Sequence, residues 1–156
     1  MKRSVKLDIF EQHDHVTYYS FTYSDEESCA FDLFLDAWDD DDHKEDIDII
    51  LSWIDKMGLK GADDGMFRPE IGDLKALPID TSILRLYCFK VTEGIVILGN
   101  GAEKTTRTFN EDPTLNAHAM NILSIGRILR SLIKNGTVSA NNNELFGLKK
   151  ITFEAI

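Results

Sequence analysis

Cysteine is scarce in this chain, and the two that occur, Cys29 and Cys88, lie far apart inside apolar runs. Their scarcity excludes a disulfide-built scaffold, and no second Cys or His stands near either at metal-ligand spacing. Both thiols are expected to be reduced core residues, because a free cysteine usually packs as a small apolar group. Long apolar runs are missing too: nothing approaches the roughly 20 residues of a membrane span. The opening MKRSVKLDIF alternates polar and apolar residues instead of offering the continuous apolar stretch of a secretion signal. A soluble cytoplasmic protein without a membrane segment is the expectation. Catalytic signatures are also lacking. There is no GxSxG elbow, no Walker phosphate loop and no HExxH, and Gly99 and Gly101 form only a GxG pair, too weak for a dinucleotide site. No cofactor and no metal are expected. His13 and His15 stand two apart and would share one strand face, but nothing nearby completes a coordination set, and a polar turn accounts for them equally well. His43 and His118 are isolated in sequence, and the carboxylates are too numerous to single out an acid/base pair.

What the chain does contain is enough apolar material for one domain over residues 1–156. At 156 residues and 43% hydrophobic content, about 70% of the unfolded surface can be buried. The net charge of −10 is unevenly spread: up to Asp80 there are 8 Lys plus Arg against 21 Asp plus Glu, a net −13, and from Thr81 onward 9 against 6, a net +3. The run Asp39–Asp42 concentrates the excess. A solvated face is the simple reading; a surface that attracts a basic protein partner and repels polyanions is the sharper one.

Strand-like composition over 4–12 and 15–23, broken at His13-Asp14, predicts a hairpin. Ser24-Asp25-Glu26-Glu27 reads as a helix start with carboxylates in its first turn, leading to Phe31, Phe34, Leu35 and Trp38 on one face and ending near Asp39. Ile47, Ile50, Leu51, Ile54 and Met57 predict a second helix that stops at Gly58. Residues 59–81, with weak periodicity, read as a long connection. Two apolar strands, 83–90 and 94–99, follow around a turn at Val91-Thr92-Glu93, and the polar segment 101–109 is expected to continue the meander. A helix beginning near Asp112-Pro113 runs to Asn135-Gly136, Asn141-Asn142-Asn143 marks a loop, and 151–156 reads as a last strand.

The stretch from Ile83 to Pro113 carries cations in an otherwise acidic protein. On a strand of period two, Arg85 and Tyr87 point to one face and Leu84, Leu86 and Cys88 to the other. With Lys104 and Arg107 on the adjacent segment and Arg68 as a further neighbour, these residues would make a small anion site suited to a phosphodiester: arginine offers a planar fork, lysine a point charge. The competing reading is a set of surface cations reaching solvent or nearby carboxylates.

The order strand, two helices, long connection and then LRLYCF, GIVILGNG and EKTTRT before a helix beginning at DP resembles the RelE/ParE toxin superfamily, especially its phage-derived, HigB-like branch, over residues 26–135. Arg85 stands in Leu84-Arg85-Leu86, similar to the family's E-L-R context, and the family's lysine pair is here Glu103-Lys104. The resemblance implies an α+β fold with helices on one face of a small, mostly antiparallel sheet, to which this chain adds an N-terminal hairpin. It also implies a ribosome-dependent mRNA endonuclease without a metal, in which the RNA 2′-hydroxyl attacks the adjacent phosphate. Arg85, Lys104 and Arg107 would be the catalytic phosphate stabilisers, Arg68 and Tyr87 substrate contacts, and an antitoxin, mRNA and the ribosome the partners. The alternative is a non-catalytic relative from a phage or mobile element that binds a basic protein through its acidic face.

Overall fold

The computed structural model describes residues 1–79, 83–147 and 150–156. Strands β1 (Lys2–Gln12) and β2 (Thr17–Tyr23) form the expected antiparallel hairpin, followed by helices α1 (Ala30–Ala37) and α2 (Lys44–Lys60). Then come β3 (Arg68–Pro69), β4 (Leu74–Leu77), β5 (Leu84–Thr92), β6 (Ile95–Glu103) and helix α3 (Pro113–Lys134). A small hairpin of β7 (Ser139–Asn141) and β8 (Glu144–Phe146) and strand β9 (Ile151–Glu154) complete the order. The main sheet has seven strands in the order β3-β4-β5-β6-β2-β1-β9. Every neighbouring pair is antiparallel except β2 with β6. The class is α+β, with a mostly antiparallel sheet.

The helices cover both faces of this sheet, which corrects the expectation of one. On one face Tyr18, Leu84, Leu86, Cys88, Val96 and Leu98 pack with Phe31 and Phe34 of α1 and Ile50, Ile54 and Met57 of α2. On the other, Tyr19, Tyr87, Phe89, Ile95 and Ile97 pack with Leu115, Ile122, Leu123 and Leu129 of α3. The reason lies in the central strands, LRLYCFKVT and IVILGNGAE: their apolar residues fall on both sides of the pleat, so each side needs a cover. Cys88 is fully buried and Cys29 half-buried, both as free thiols.

Five details differ from expectation. Ser24–Glu27 belongs to a turn, and α1 starts later, capped by the backbone of Cys29. Asp25 and Glu26 are drawn instead to Arg3, at 2.8 and 3.3 Å, while the Arg3 guanidinium lies 3.6 Å from the Tyr23 ring centre. Helix α2 runs through Gly58 to Gly61, whose φ of 99° is the positive angle that ends it. Gly58 is needed for another reason: a Cβ there would lie 2.4 Å from the His13 ring. The long connection holds β3 and β4, too short to show periodicity, and its last residues, 80 and 81, lie outside the described ones. The polar segment 101–109 does not form a further strand: β6 itself extends to Glu103, after which the chain loops back on its own hydroxyl and carbonyl groups. The hairpin turn falls at Glu93-Gly94, between Thr92 and Ile95, slightly later than expected.

Helix α3 starts where Asp112 accepts hydrogen bonds from the Thr114 and Leu115 amides, at 2.9 and 3.2 Å, with Pro113 in the first turn. Such a cap contributes about 1 kcal/mol. The α1–α2 turn is tied to the sheet by His43. Its Nδ1 is 2.7 Å from Asp40, its Nε2 meets Glu103 at the end of β6, and its ring packs 4.8 Å from that of Trp38. His43 is therefore not isolated. Its two carboxylates, Asp40 first and then Glu103, raise its pKa above the ordinary imidazole value, whereas His43 lowers that of Asp40.

A raised histidine pKa gives stability that is fully present below the unfolded-state value and lost as pH rises through the folded-state value. Denaturation midpoints across the histidine range should therefore fall with rising pH in the wild type and fall less in His43→Gln. Equal slopes would show that the turn is held by other contacts.

Candidate functional site

β5 and β6 set the geometry. Arg85 lies opposite Ala102 and Leu84 opposite Glu103, and facing residues on paired strands share a face. Glu103 is thus directed with Leu84 to the α2 side, where it meets His43, while Arg85 is on the α3 side with Tyr87. The Lys104 amide adds one further backbone bond, 2.5 Å to the Ile83 carbonyl. Beyond it the loop folds tightly: the Lys104 ammonium donates to the carbonyls of Thr106 (3.2 Å) and Arg107 (2.9 Å), and Thr106 Oγ1 donates to the Thr108 carbonyl (2.7 Å). Lysine has three donors, so this arrangement fixes the ammonium and leaves one N–H for a ligand.

The loop after β6 faces the β3 edge across an open cavity of about 420 Å³. Arg68, Glu70, Lys104, Arg107 and Phe109 line it. Arg68 is held by donation to the Ile79 carbonyl at 3.2 Å, and Arg107 is exposed. Arg85 and Tyr87 are not wall residues: both are buried, Tyr87 behind the Phe109 ring at a centroid distance of 5.9 Å. Of the sequence-derived set, Arg68, Lys104 and Arg107 thus share one cavity, and Arg85 and Tyr87 support it from the sheet.

The residue that sequence reasoning missed is Glu70. It is half-buried, and burial raises its pKa even though Lys104, Arg68 and Arg85 all act to lower it. Spacing held a signal: Arg68 and Glu70 are two apart on an extended segment, so they face the same way. The pressure is mutual. Burial lowers the pKa of Arg85, with Arg68 adding repulsion and Tyr87, Glu70 and Asp46 opposing it. Burial, with Glu70 second, pushes the Tyr87 phenol well above the ordinary tyrosine range, so it stays protonated.

Polar satisfaction is incomplete here. Arg85 is only 8% exposed, and among the described residues its guanidinium makes one weak bond, from Nη1 to its neighbour's carbonyl at 3.3 Å. Its Nε and the Tyr87 hydroxyl have no hydrogen-bond partner among the described residues. An unmet buried donor costs about 1–3 kcal/mol, a cost that folding for packing alone has no reason to keep. Chemically, three cations among the described residues share an open cavity with Glu70, and Arg85 acts on that carboxyl from the sheet, an arrangement that favours a bound anion with a proton acceptor beside it.

No protein-family profile, curated protein or solved structure matches this chain.

A raised carboxyl pKa means that the folded state keeps its proton while the unfolded state releases it, so stability declines as pH rises from the unfolded through the folded value. Glu70→Gln, which mimics the neutral acid, should be more stable than wild type at neutral pH and show a flatter pH profile in chemical denaturation. A less stable variant at neutral pH would mean that the attraction of the surrounding cations outweighs burial.

Proposed function

We propose that the chain is a RelE-like toxin that cleaves RNA at a phosphodiester bound between the β3 edge and the loop after β6. The observation that carries this reading is that Arg68, Lys104 and Arg107 share one cavity with Glu70, on whose carboxyl Arg85 also acts from the sheet. In this reading the substrate phosphate sits in the cavity with its oxygens toward the Lys104 and Arg107 side chains. Glu70 accepts the proton of the ribose 2′-hydroxyl, whose oxygen forms a bond to phosphorus. The bond from phosphorus to the 5′-oxygen breaks, and that oxygen takes a proton from water on the open side of the cavity. The products are a 2′,3′-cyclic phosphate and a 5′-hydroxyl. Arg85 stabilises the charge that builds on the phosphorane from behind, and the neutral Tyr87 phenol holds Phe109 and the cavity wall in place. A carboxylate whose pKa burial has raised is a stronger base for this step than a fully solvated one.

A second reading rests on a different observation. Leu35, Trp38 and Ile47 floor a cavity of about 480 Å³ rimmed by Asp36, Asp39, Asp40, Asp41 and Asp48, with Lys44 beside them. Its apolar floor and acidic rim fit a basic amphipathic segment. In the toxin reading that segment belongs to an antitoxin, and in the non-catalytic reading it belongs to the protein's main partner.

Inducible expression separates the two. Wild type should arrest growth and shorten cellular mRNA, and Arg85→Ala with Lys104→Ala should abolish both effects, each substitution slowing cleavage about 100-fold or more. A harmless wild type with intact mRNA, at confirmed expression, would remove the toxin reading and leave the binding protein.

A further inference from the structure

The turn between β1 and β2 holds a second group of chemically competent side chains, remote from the cationic cavity. Glu11, His13 and Asp55 each offer one ligand atom, and these atoms lie within 4.8 Å of one another. A pair of exposed carboxylates alone would be an ordinary solvated patch. The histidine changes that.

Its ring is fixed on two sides. Gly58 of α2 lies directly against it, where no larger residue fits, and the Tyr18 ring meets it edge-on at 5.3 Å and 89°. Tyr18 is itself anchored by its hydroxyl, which donates to the Ile54 carbonyl at 2.7 Å. The backbone adds two ties: the His13 amide donates to the Val16 carbonyl and the His15 amide to the Gly58 carbonyl, both at 2.8 Å. A preset imidazole of this kind loses little freedom on binding a ligand.

One nitrogen of that ring, Nε2, is hidden from solvent, yet among the described residues it makes no hydrogen bond. Glu11 Oε1 is 2.7 Å away but does not lie along the ring's donor direction. A short contact of this kind suits two groups that share a third atom between them. The sequence arranges it with a β-bulge: the β1–β2 register shifts between Ile9 and Glu11, so that Glu11 comes opposite Tyr18 and points to the α2 side. Phe10, the extra residue, packs edge-on against Phe31 at 4.9 Å, which accounts for the bulge's stability. Asp55 follows Ile54 on α2 and reaches the same spot. Among the described residues no lysine or arginine pairs with either carboxylate; the nearby Lys56 lies over the Trp53 ring, at 4.8 Å.

We propose that Glu11, His13 and Asp55 form a binding site for a divalent transition-metal ion of the zinc class, which fastens the β1–β2 turn to α2. One imidazole nitrogen and two carboxylate oxygens make a borderline donor set that suits Zn²⁺ over Mg²⁺ or Ca²⁺. Their two negative charges balance the ion. Ligands of a tetrahedral zinc ion at bonds of about 2.0–2.1 Å stand about 3.3 Å apart, so small rotations of Glu11 and Asp55 close the set. One position stays open to water, which gives a site of moderate affinity that links elements distant in sequence. His15 is not a member: the coordination set that the two histidines lacked in sequence is supplied to His13 by carboxylates from β1 and α2.

The test is calorimetric titration of the chelator-treated full chain with Zn²⁺ alone. Wild type and His15→Ala should each bind one ion per chain, and the ion should raise the thermal midpoint of both. His13→Ala should lose about tenfold or more in affinity, and so should Glu11→Gln with Asp55→Asn, which keeps the ring, the bulge and the side-chain shapes. Circular dichroism confirms that the variants fold; the carboxamide variant decides the matter if His13→Ala does not. Absence of saturable binding by folded wild type at micromolar free zinc would overturn the proposal. Equal binding by wild type and the carboxamide variant would do the same.

Discussion

The structure depends most on how closely β6 approaches β5. Opposite Tyr87, β6 carries Gly99 and Asn100, two residues against one, and the register shifts there. The approach is so tight that a Cβ on Gly101 would lie 1.8 Å from the Arg85 carbonyl oxygen and one on Gly99 2.9 Å from that of Tyr87. Only glycine fits where another backbone comes that near. Because of this pairing, Arg85 stands beside Ala102, and the chain leaves β6 at Lys104 directly next to the start of β5. Both the cationic cavity and the attachment of the α1–α2 turn follow from that register.

The same strand end separates the protein's charges. Glu103 and Lys104 are consecutive, but Glu103 turns to the α2 side and joins His43 and Asp40 beside the acidic rim, while Lys104 leads into the loop that lines the basic cavity. In this way an acidic protein keeps a locally basic cavity: the acidic and basic groups lie on opposite sides of one sheet, and the exposed acidic rim is screened by water and salt over that separation. The net charge of −10 therefore says little about the field inside the cavity.

Much of this was legible in the sequence where one physical signal dominated. Strand-like composition broken at His13-Asp14 marked the N-terminal hairpin, period-two alternation set Arg85 and Leu84 on opposite faces, and Asp112-Pro113 marked the start of α3 because a cap and a proline in the first turn are strong local signals. Local cues misled where a distant partner outbid them. Asp25 and Glu26 look like first-turn carboxylates until Arg3, on a neighbouring strand, takes them, and Gly58 looks like a helix stop until His13 is seen to need the space. Glu70 and the His43 cluster were hidden for a similar reason. Each depends on contacts between segments far apart in sequence, and a carboxylate among 27 acids has nothing local to distinguish it. Arg85 was easier to single out, being flanked by the apolar strand residues Leu84 and Leu86.

The central claim, that the cavity promotes attack of a ribose hydroxyl on its own phosphate, is tested most directly by the chemistry of the cut ends. A synthetic mRNA on translating ribosomes, incubated with the purified protein and examined by mass spectrometry, should yield a 2′,3′-cyclic phosphate and a 5′-hydroxyl, and a single 2′-deoxy substitution at the scissile nucleotide should abolish the cut. Cleavage that leaves a 5′-phosphate, or that proceeds undiminished past the 2′-deoxy position, would contradict the account.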